Sequence, residues 1–337
     1  MATRPSGEKH LVQYRNAYHT EPPILNLRRT LEWAFPPIGW GDRKKIITST
    51  LAWGQRKLFM IELEFLTLFA EPGDTVLYAG AAPGTSLSLI LHLFPDISWV
   101  LYDPRPFDTR IVEISRQPNS RVRIVNDYFT PNVIANLLRT GLRPEKTLFI
   151  SDIRTGDHAL HKNEVFEQKV EEDNQRQVQW YHQLQPRKAI LKYRPPYSDD
   201  RNQITTFLQG EIIIQPWTKP RSGEVRVIPT SNHLMNVKLG TFEDLMATHN
   251  LISRVSRHPL GADARSFGVV DECFDCASEV AIWEQYLRKN AIITEDTSIG
   301  EQALQTKNLV VQLNTILSGG KFTLENYTKS NTEPDEE

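Results

Sequence analysis

The sequence predicts an α/β protein of the Rossmann-like type, with a mostly parallel central sheet covered by helices. Short apolar runs of strand length recur through the middle of the chain, and segments with helical length and spacing lie between several of them. This alternation is typical of βα units, which build a parallel sheet covered on both faces. A glycine-rich turn after the first run adds a third sign, because such a turn often follows the first strand of a nucleotide-binding sheet.

The predicted elements follow in order along the chain. Apolar residues from Trp53 to Phe69 recur with helical spacing and predict a helix. Strand-like runs follow at TVLYAG (75–80), SWVLYD (98–103), VRIVND (122–127), TLFISDI (147–153), KAILKY (188–193) and EIIIQP (211–216). Between them, GTSLSLILHLF and TPNVIANLLRTG have the length and pattern of helices. The later strands, EVRVIP among them, are closely spaced, so we expect antiparallel pairing at one edge of the sheet.

The two ends of the chain differ from its middle. Residues 1–45 are rich in polar groups and proline, which predicts an extended N-terminal arm. Residues 46–290 contain all the predicted sheet strands and form the expected Rossmann-like domain. In 291–337, residues 299–320 predict an amphipathic helix, and the polar, acidic residues after it are expected to be disordered.

Composition excludes some classes of protein. The 337 residues include 39 Lys and Arg against 41 Asp and Glu, so net charge alone does not attract nucleic acid, and any polyanion site must be local. The N-terminus lacks the apolar core of a secretory signal, and no apolar run approaches the ~20 residues that span a bilayer. We therefore expect an intracellular protein that does not enter membranes. Cys273 and Cys276 form a single CxxC pair without a second metal-binding pair, and we interpret them as ordinary thiols.

The stretch VLYAGAAPGTS indicates a ligand-binding turn. Gly80 ends the first strand, Pro83 and Gly84 shape the turn, and Thr85 or Ser86 is placed to cap the next helix. Backbone N–H groups at such a turn can meet a nucleotide-like ligand. The spacing Gly-x-x-x-Gly is weak evidence alone, because a tight turn from strand to helix without a ligand would show it too.

Polar residues at the next two strand ends strengthen the case for a ligand. Asp103 closes the second strand 19 residues after Gly84, where an acid can accept hydrogen bonds from ribose hydroxyls. Arg105 lies beside it, and Asn126 and Asp127 at the third strand end could contact an adenine edge. The sequence thus predicts a cofactor that contains adenosine.

Several motifs resemble a known family. GAAPG resembles the cofactor loop of S-adenosylmethionine-dependent RNA 2′-O-methyltransferases of the FtsJ/RrmJ type. WGQRKLFMIELEFL, ISDIR, LKYRPPY and GEVRV, between about residues 50 and 290, more specifically resemble the poxvirus-type family of cap-specific mRNA 2′-O-methyltransferases that also serve as the small subunit of poly(A) polymerase. The resemblance implies S-adenosylmethionine as cofactor and a binding site formed by Gln55, Tyr78, Gly80, Ala82, Pro83, Gly84, Asp103, Arg105, Asn126, Asp127 and Asp152.

The resemblance also implies a catalytic tetrad of Lys57, Asp152, Lys192 and Glu224. The expected chemistry suits these residue types, because methylating a ribose 2′-hydroxyl requires a base and alignment with an electrophilic methyl group, and no metal ion. A lysine can be the base only if its pKa falls towards neutrality, which a second lysine and partial desolvation would favour. The two acids would hold the amines in place. A lone lysine or acid of this kind would ordinarily be a surface ion-pair partner.

A cap-binding site is implied by the loop that follows Lys192. Tyr197 is expected to stack on 7-methylguanine, and Asp199 to accept hydrogen bonds from its edge, since a positively charged base gains from an aromatic face and a carboxylate. Glu243 resembles the second acid at the base edge, and Tyr18 in the arm resembles an opposing stacker. Alternatively, Tyr197 packs on the prolines of its own loop.

These observations lead to one principal functional interpretation and two alternatives. The principal one is methylation of the 2′-hydroxyl of the first transcribed nucleotide of capped mRNA, in a cytoplasmic viral protein that uses S-adenosylmethionine. Its partners would be capped mRNA and the catalytic subunit of a poly(A) polymerase. The alternatives are a 2′-O-methyltransferase that acts on RNA without a cap, and a non-catalytic RNA-binding subunit that stimulates poly(A) polymerase.

Overall fold

A computed structural model describes residues 54–157, 159–219, 222–251, 254 and 274–320 of the chain. The N-terminal arm with Tyr18, the first cysteine of the CxxC pair, and the residues after 320 lie outside the described part. The chain divides into two compact units. We call Phe69–Ile214 with Gly223–Glu243 the sheet unit, and the described residues of Met1–Leu68, Gln215–Ser222 and Asp244–Glu337 the helical unit.

The sheet unit contains a seven-stranded sheet in the order β3-β2-β1-β4-β5-β7-β6. Neighbouring strands from β3 to β5 are parallel, whereas β7 pairs antiparallel with both β5 and β6. The strands are β1 (Thr75–Ala79), β2 (Ser98–Tyr102), β3 (Val122–Val125), β4 (Thr147–Ser151), β5 (Lys188–Tyr193), β6 (Ile204–Ile213) and β7 (Val225–Lys238). The predicted α/β class and the antiparallel edge are confirmed.

One predicted strand was misplaced. The sequence predicts a strand at residues 211–216, but β6 begins at Ile204 and ends at Ile213. Its first half alternates apolar and polar residues less clearly than the Ile-Ile-Ile run, so the apolar run drew the prediction towards the end of the strand. The register shifts between Leu208 and Gly210, and a Cβ atom at Gly210 would overlap the backbone of Ile228 on β7. The glycine therefore belongs to a β-bulge rather than to a turn.

Helices connect the parallel strands of the sheet unit. They are α2 (Leu87–Leu93), α3 (Thr109–Ser115), α4 (Pro131–Arg139) and the long α5 (Asn163–Leu184), with a short 3₁₀ turn at Pro144–Lys146. Aromatic rings fill the space between the sheet and α5, where Phe129 contacts Phe149 of β4 and Trp180 of α5 at centroid distances of 5.5 and 5.0 Å. This apolar layer packs α5 against the sheet.

The helical unit contains most of α1 (Gly54–Phe69), the later part of α6 (Leu239–Leu251), α7 (Phe274–Lys289) and α8 (Ile299–Leu317). The helices predicted from 53 to 69 and from 299 to 320 are confirmed, each within three residues at its ends. Cys276 lies buried in α7. Within the described residues, no helix is both long and apolar enough to cross a membrane.

Buried ion pairs hold the helical unit together. Arg56 of α1 pairs with Glu279 of α7 at 2.7 Å and lies over the ring of Trp217 at 4.0 Å. The indole N–H of Trp217 donates to the same Glu279 carboxylate at 2.9 Å. A buried charge needs such partners, so this cluster fixes the first turn of α1 against α7.

Candidate active site

The glycine-rich turn follows β1 and has the backbone that its sequence predicts. Gly80 has a φ of 83° and Gly84 has a φ of 67°, and other residue types rarely adopt these angles. A Cβ atom at Gly80 would lie 2.8 Å from the carbonyl carbon of Asp152, so the backbones after β1 and β4 meet here. Ser86 precedes α2 at the capping position, but its side chain makes no capping hydrogen bond, contrary to the expectation for this residue.

Asp103 links the turn to the end of β2. Its carboxylate accepts hydrogen bonds from the Ala82 backbone N–H at 3.1 Å and from the Arg105 backbone N–H at 2.9 Å. The Arg105 guanidinium also donates to both oxygens, at 3.1 Å each. These four bonds fill the acceptor positions of the carboxylate. A ribose hydroxyl would therefore take the place of part of the Arg105 contact, and the Arg105 side chain is 66% exposed.

The remaining cofactor candidates of the sheet unit lie around this turn. Asn126 and Asp127 are exposed directly after β3, and the Asn126 amide donates to the carbonyl of Arg105 at 3.1 Å. Pro83 is exposed at the turn. Tyr78 is 2% exposed within β1, and it is among the groups that raise the pKa of Arg226. The exposed polar groups fit the hydroxyls and ring nitrogens of an adenosine cofactor.

Three of the four predicted tetrad residues meet at the carboxyl ends of β4 and β5. The Lys192 ammonium lies 3.4 Å from a carboxylate oxygen of Asp152 and 3.4 Å from one of Glu224. All three side chains are between 12% and 17% exposed, so solvent reaches the cluster but screens it incompletely. Asp152 follows β4, Lys192 lies on β5 and Glu224 directly precedes β7. The two acids thus both lie within ion-pair distance of the Lys192 amine.

Arg226 is a fourth member of this cluster, which the sequence analysis did not identify. It lies directly opposite Lys192 in the antiparallel pairing of β5 and β7, so two cations face each other on one side of the sheet. Arg226 is 2% exposed and donates to Asp152. Burial opposes its charge, but Asp152 and Glu224 outweigh burial and raise the pKa of Arg226 above the usual arginine value. The two positive charges of Lys192 and Arg226 thus balance the two negative charges of Asp152 and Glu224.

The loop after β4 brings a further cation close to the cluster. Burial lowers the pKa of Arg154, although Glu224, Asp173 and Asp152 favour its charged form. Its Nη1 atom is buried and has no hydrogen-bond partner within the described residues. Asp173 of α5 holds the loop by accepting hydrogen bonds from the backbone N–H of Thr155 at 2.7 Å and its hydroxyl at 2.9 Å. Asp173 of α5 therefore faces this loop.

Gln55 and Lys57 lie in the first turn of α1, in the helical unit. Both are partly exposed, and they flank the buried Arg56. The sequence predicts Lys57 as the second lysine of the tetrad and Gln55 as a cofactor contact, and both assignments stay predictions.

The expected cap-binding loop follows β5. Tyr197 is 49% exposed, and its ring stacks on the Arg194 guanidinium at 4.2 Å from the ring centroid, rather than lying in the open. Its hydroxyl side lies against Gly223, and burial there raises the pKa of Tyr197. Asp199 is exposed in the same loop. Glu243 pairs with Arg201 at 3.2 Å, so a base edge would compete with that arginine for it.

Comparison with known proteins gives consistent matches. A protein of fowlpox virus (strain NVSL) named cap-specific mRNA (nucleoside-2′-O-)-methyltransferase is 28% identical over 184 residues, covering 52% of this chain and 57% of the relative. A protein of the same name in myxoma virus (strain Lausanne) is 28% identical over 183 residues, covering 52% of each chain. The chain thus spans about half the length of these relatives. A family model described as poly A polymerase regulatory subunit matches residues 42–255, which include every described residue of the ion-pair cluster. The chain belongs to the poly A polymerase regulatory subunit family.

Proposed function

We propose that this protein transfers a methyl group from S-adenosylmethionine to the ribose 2′-hydroxyl of the first transcribed nucleotide of capped mRNA. The observation that carries the proposal is the contact between Gly80 of the cofactor turn and the backbone of Asp152, whose side chain lies 3.4 Å from Lys192. A methyl donor bound at the turn and a base on β5 would share one edge of the sheet. The names of the two viral relatives support the same reaction.

The cofactor would be held by the ends of β1, β2 and β3. The Asp103 carboxylate, by releasing part of its Arg105 contact, and the exposed Asn126 and Asp127 side chains would supply donors and acceptors for a ribose and an adenine. When bound, S-adenosylmethionine supplies an electrophilic methyl group on a positively charged sulfur. The residues of this chain then have to orient the 2′-hydroxyl and remove its proton.

Lys192 is the group that would remove this proton. The amine of Lys192 would accept the hydroxyl proton while the 2′-oxygen takes up the methyl group that bound S-adenosylmethionine supplies. Asp152 and Glu224 fix the amine and stabilise the resulting ammonium ion. Arg226 partly neutralises both acids, which limits their tendency to keep Lys192 charged before the reaction. Lys57 would add a further positive charge with the same effect.

Recognition of the cap would take place at the loop after Lys192. Tyr197 offers one exposed ring face for stacking. The exposed carboxylate of Asp199 would accept hydrogen bonds from the edge of the stacked base. Because only a few residues separate Lys192 from Tyr197, the cap and the first ribose would bind next to each other. Glu243 and Tyr18 would complete the site.

A second role follows from the family rather than from the site. The family description supports association with the catalytic subunit of a poly(A) polymerase, and we propose that the protein acts in the cytoplasm of an infected cell. This role needs RNA binding but no methyl transfer, so an intact ion-pair cluster does not distinguish it. The two roles are compatible in one protein.

The test is methyl transfer from labelled S-adenosylmethionine to short RNAs with and without a 7-methylguanosine cap. We expect the wild type to modify only capped RNA, at the 2′-oxygen of its first nucleotide. Lys192→Arg should abolish transfer, because arginine keeps the charge but cannot be neutral near pH 7. Affinities for cofactor and RNA should change little.

Lys188→Arg is the matched control, because Lys188 lies on the same strand and its ammonium lies over the ring of Phe69, 5.2 Å from the ring centroid. This variant should keep full activity. Equal methylation of capped and uncapped RNA would contradict cap specificity and favour the alternative of a general RNA 2′-O-methyltransferase. Substantial activity of Lys192→Arg would contradict the role of Lys192 as a base.

A further inference from the structure

An ion pair on one side of Tyr197 supports its ring. The Arg194 guanidinium donates to both carboxylate oxygens of Glu167 on α5, at 2.8 and 3.0 Å. Glu167 also accepts a hydrogen bond from the backbone N–H of Tyr197 at 2.7 Å. One carboxylate thus holds both the start of the loop and the cation that lies under the ring.

The surroundings fix this arrangement firmly. The Arg194 and Glu167 side chains are only 11% and 16% exposed, and the buried Asn174 of α5 donates to the Arg194 carbonyl at 2.9 Å. The ring of Phe166 also lies near the guanidinium, 5.8 Å away, and packs against Gly156 so closely that a Cβ atom there would overlap it. The pair therefore has little freedom to move away from Tyr197.

The charge of Arg194 poses a problem for the expected ligand. A cation stacked on one face of an aromatic ring is attracted by the negative π-electron density of the ring. The same density attracts a cation on the opposite face, so the two cations compete for it. An uncompensated Arg194 would also repel a positively charged base through the thickness of one ring, over a short and partly buried path. Glu167 removes this repulsion, because its bidentate contact makes the pair neutral.

We propose that Glu167 and Arg194 form a charge-compensated support that allows the exposed face of Tyr197 to prefer a positively charged, N-methylated purine over its neutral parent. This inference rests on the proposed cap-binding function. Arg194 acts as a rigid platform that fixes the ring, and Glu167 sets the electrostatic preference of the free face. Neither residue needs to touch the base, so both are positioning residues.

The test measures the binding of cap dinucleotides with and without the 7-methyl group, by tryptophan fluorescence or calorimetry. The pH is kept below that at which 7-methylguanine loses its N1 proton, so that the methylated base is cationic. The readout is the ratio of the two affinities, because a general loss of stacking lowers both affinities alike. We expect Glu167→Gln, which keeps the shape and one acceptor, to reduce this methyl preference about five- to tenfold.

Arg194→Gln gives the opposite expectation, because it leaves the Glu167 charge uncompensated under the ring, and the methyl preference should rise. The double variant should return close to the wild-type ratio even if both affinities fall. Glu172→Gln is the matched control, since Glu172 lies on the same helix and forms exposed contacts with Arg176 and Gln168. It should leave the ratio unchanged.

The outcomes separate the inference from the proposed function. A wild type without any methyl preference would overturn cap recognition itself. A wild type that prefers the methylated cap, together with single variants that keep the ratio within about twofold, would overturn the support role and leave cap recognition intact. If Glu167→Gln fails to fold, as judged by circular dichroism, the direction of the change in Arg194→Gln alone decides the question.

Discussion

Gly80 brings the glycine-rich turn after β1 into close backbone contact with Asp152 of the ion-pair cluster. Its φ of 83° suits glycine, and the backbone of Asp152 occupies the position where a Cβ atom would lie. Gly73, in the turn before β1, has nearly the same φ, 81°, but open space where its Cβ atom would lie. Comparing substitutions at the two glycines therefore separates the free-energy cost of the positive φ from the cost of steric overlap.

We predict that Gly80→Ala costs about 2–4 kcal/mol of unfolding free energy, whereas Gly73→Ala costs about 1–2 kcal/mol, because only Gly80 adds overlap to an unfavourable φ. Denaturant unfolding of both variants measures the difference. Cofactor affinity should fall only in Gly80→Ala, because the turn has to move away from Asp152. Equal costs would show that the close approach does not constrain the turn.

Individual site residues were predictable where a motif marks them. Asp152, Lys192 and Glu224 were all predicted from short family motifs, and the structure brings the three together. Arg226 was missed because its place opposite Lys192 depends on the register between β5 and β7, which no local pattern determines. Glu167 was missed because, on a polar helix, it resembles a charge that faces solvent.

Elements were predictable to the extent that apolar periodicity sets them. The parallel strands β1, β4 and β5 stand out because burial on both faces makes them apolar along most of their length. The bulged β6 does not, since Gly210 interrupts its pattern and part of the strand is exposed. Helix α5 carries many charged and amide side chains, because it contacts the ion-pair cluster and the loops after β4 and β5 as well as the apolar core.

Helix α3 offers a test of an electrostatic cap. Asp108 precedes the helix, and its carboxylate accepts hydrogen bonds from the backbone N–H of Arg110 at 3.0 Å and from the Arg110 side chain at 2.9 and 2.8 Å. The Arg110 side chain is the main reason that the pKa of Asp108 lies below its ordinary value of 3.8. A lowered pKa in the folded state means that the charged form stabilises the protein above this value, and that the benefit is lost as the pH falls.

We predict that Asp108→Asn, which keeps a good capping residue, lowers the unfolding free energy by about 0.5–1 kcal/mol at neutral pH. The difference from wild type should shrink as the pH falls below 3.8 and vanish below the folded-state pKa of Asp108. Denaturant unfolding across this pH range measures it. Thr130→Ser at the cap of α4 is the control, since its hydroxyl bond to the Val133 N–H does not titrate. A difference that stays constant with pH would exclude the charge as its cause.

Charge at the scale of the whole molecule limits how the protein can bind RNA. The chain has 39 Lys and Arg against 41 Asp and Glu, so its long-range field does not attract a polyanion. Exposed arginines near the candidate site are already paired, as Arg105 is with Asp103, Arg176 with Asp173 and Arg201 with Glu243. The proposed RNA binding would therefore depend on stacking and hydrogen bonds at the cap more than on contacts to phosphates.

This balance predicts a weak dependence of RNA affinity on salt. Each phosphate contact to a single strand adds a slope of about −0.7 to a plot of log affinity against log salt concentration, so we expect an overall slope between about −1.4 and −2.8, equivalent to two to four contacts. Fluorescence anisotropy with short capped RNA, at salt concentrations from about 50 to 200 mM, measures it. Removing the cap should lower the affinity while leaving the slope almost unchanged, because stacking on Tyr197 releases few counterions. A slope of about −5 or steeper would mean that an extended basic surface holds the RNA, and the proposed dominance of the cap would then be wrong.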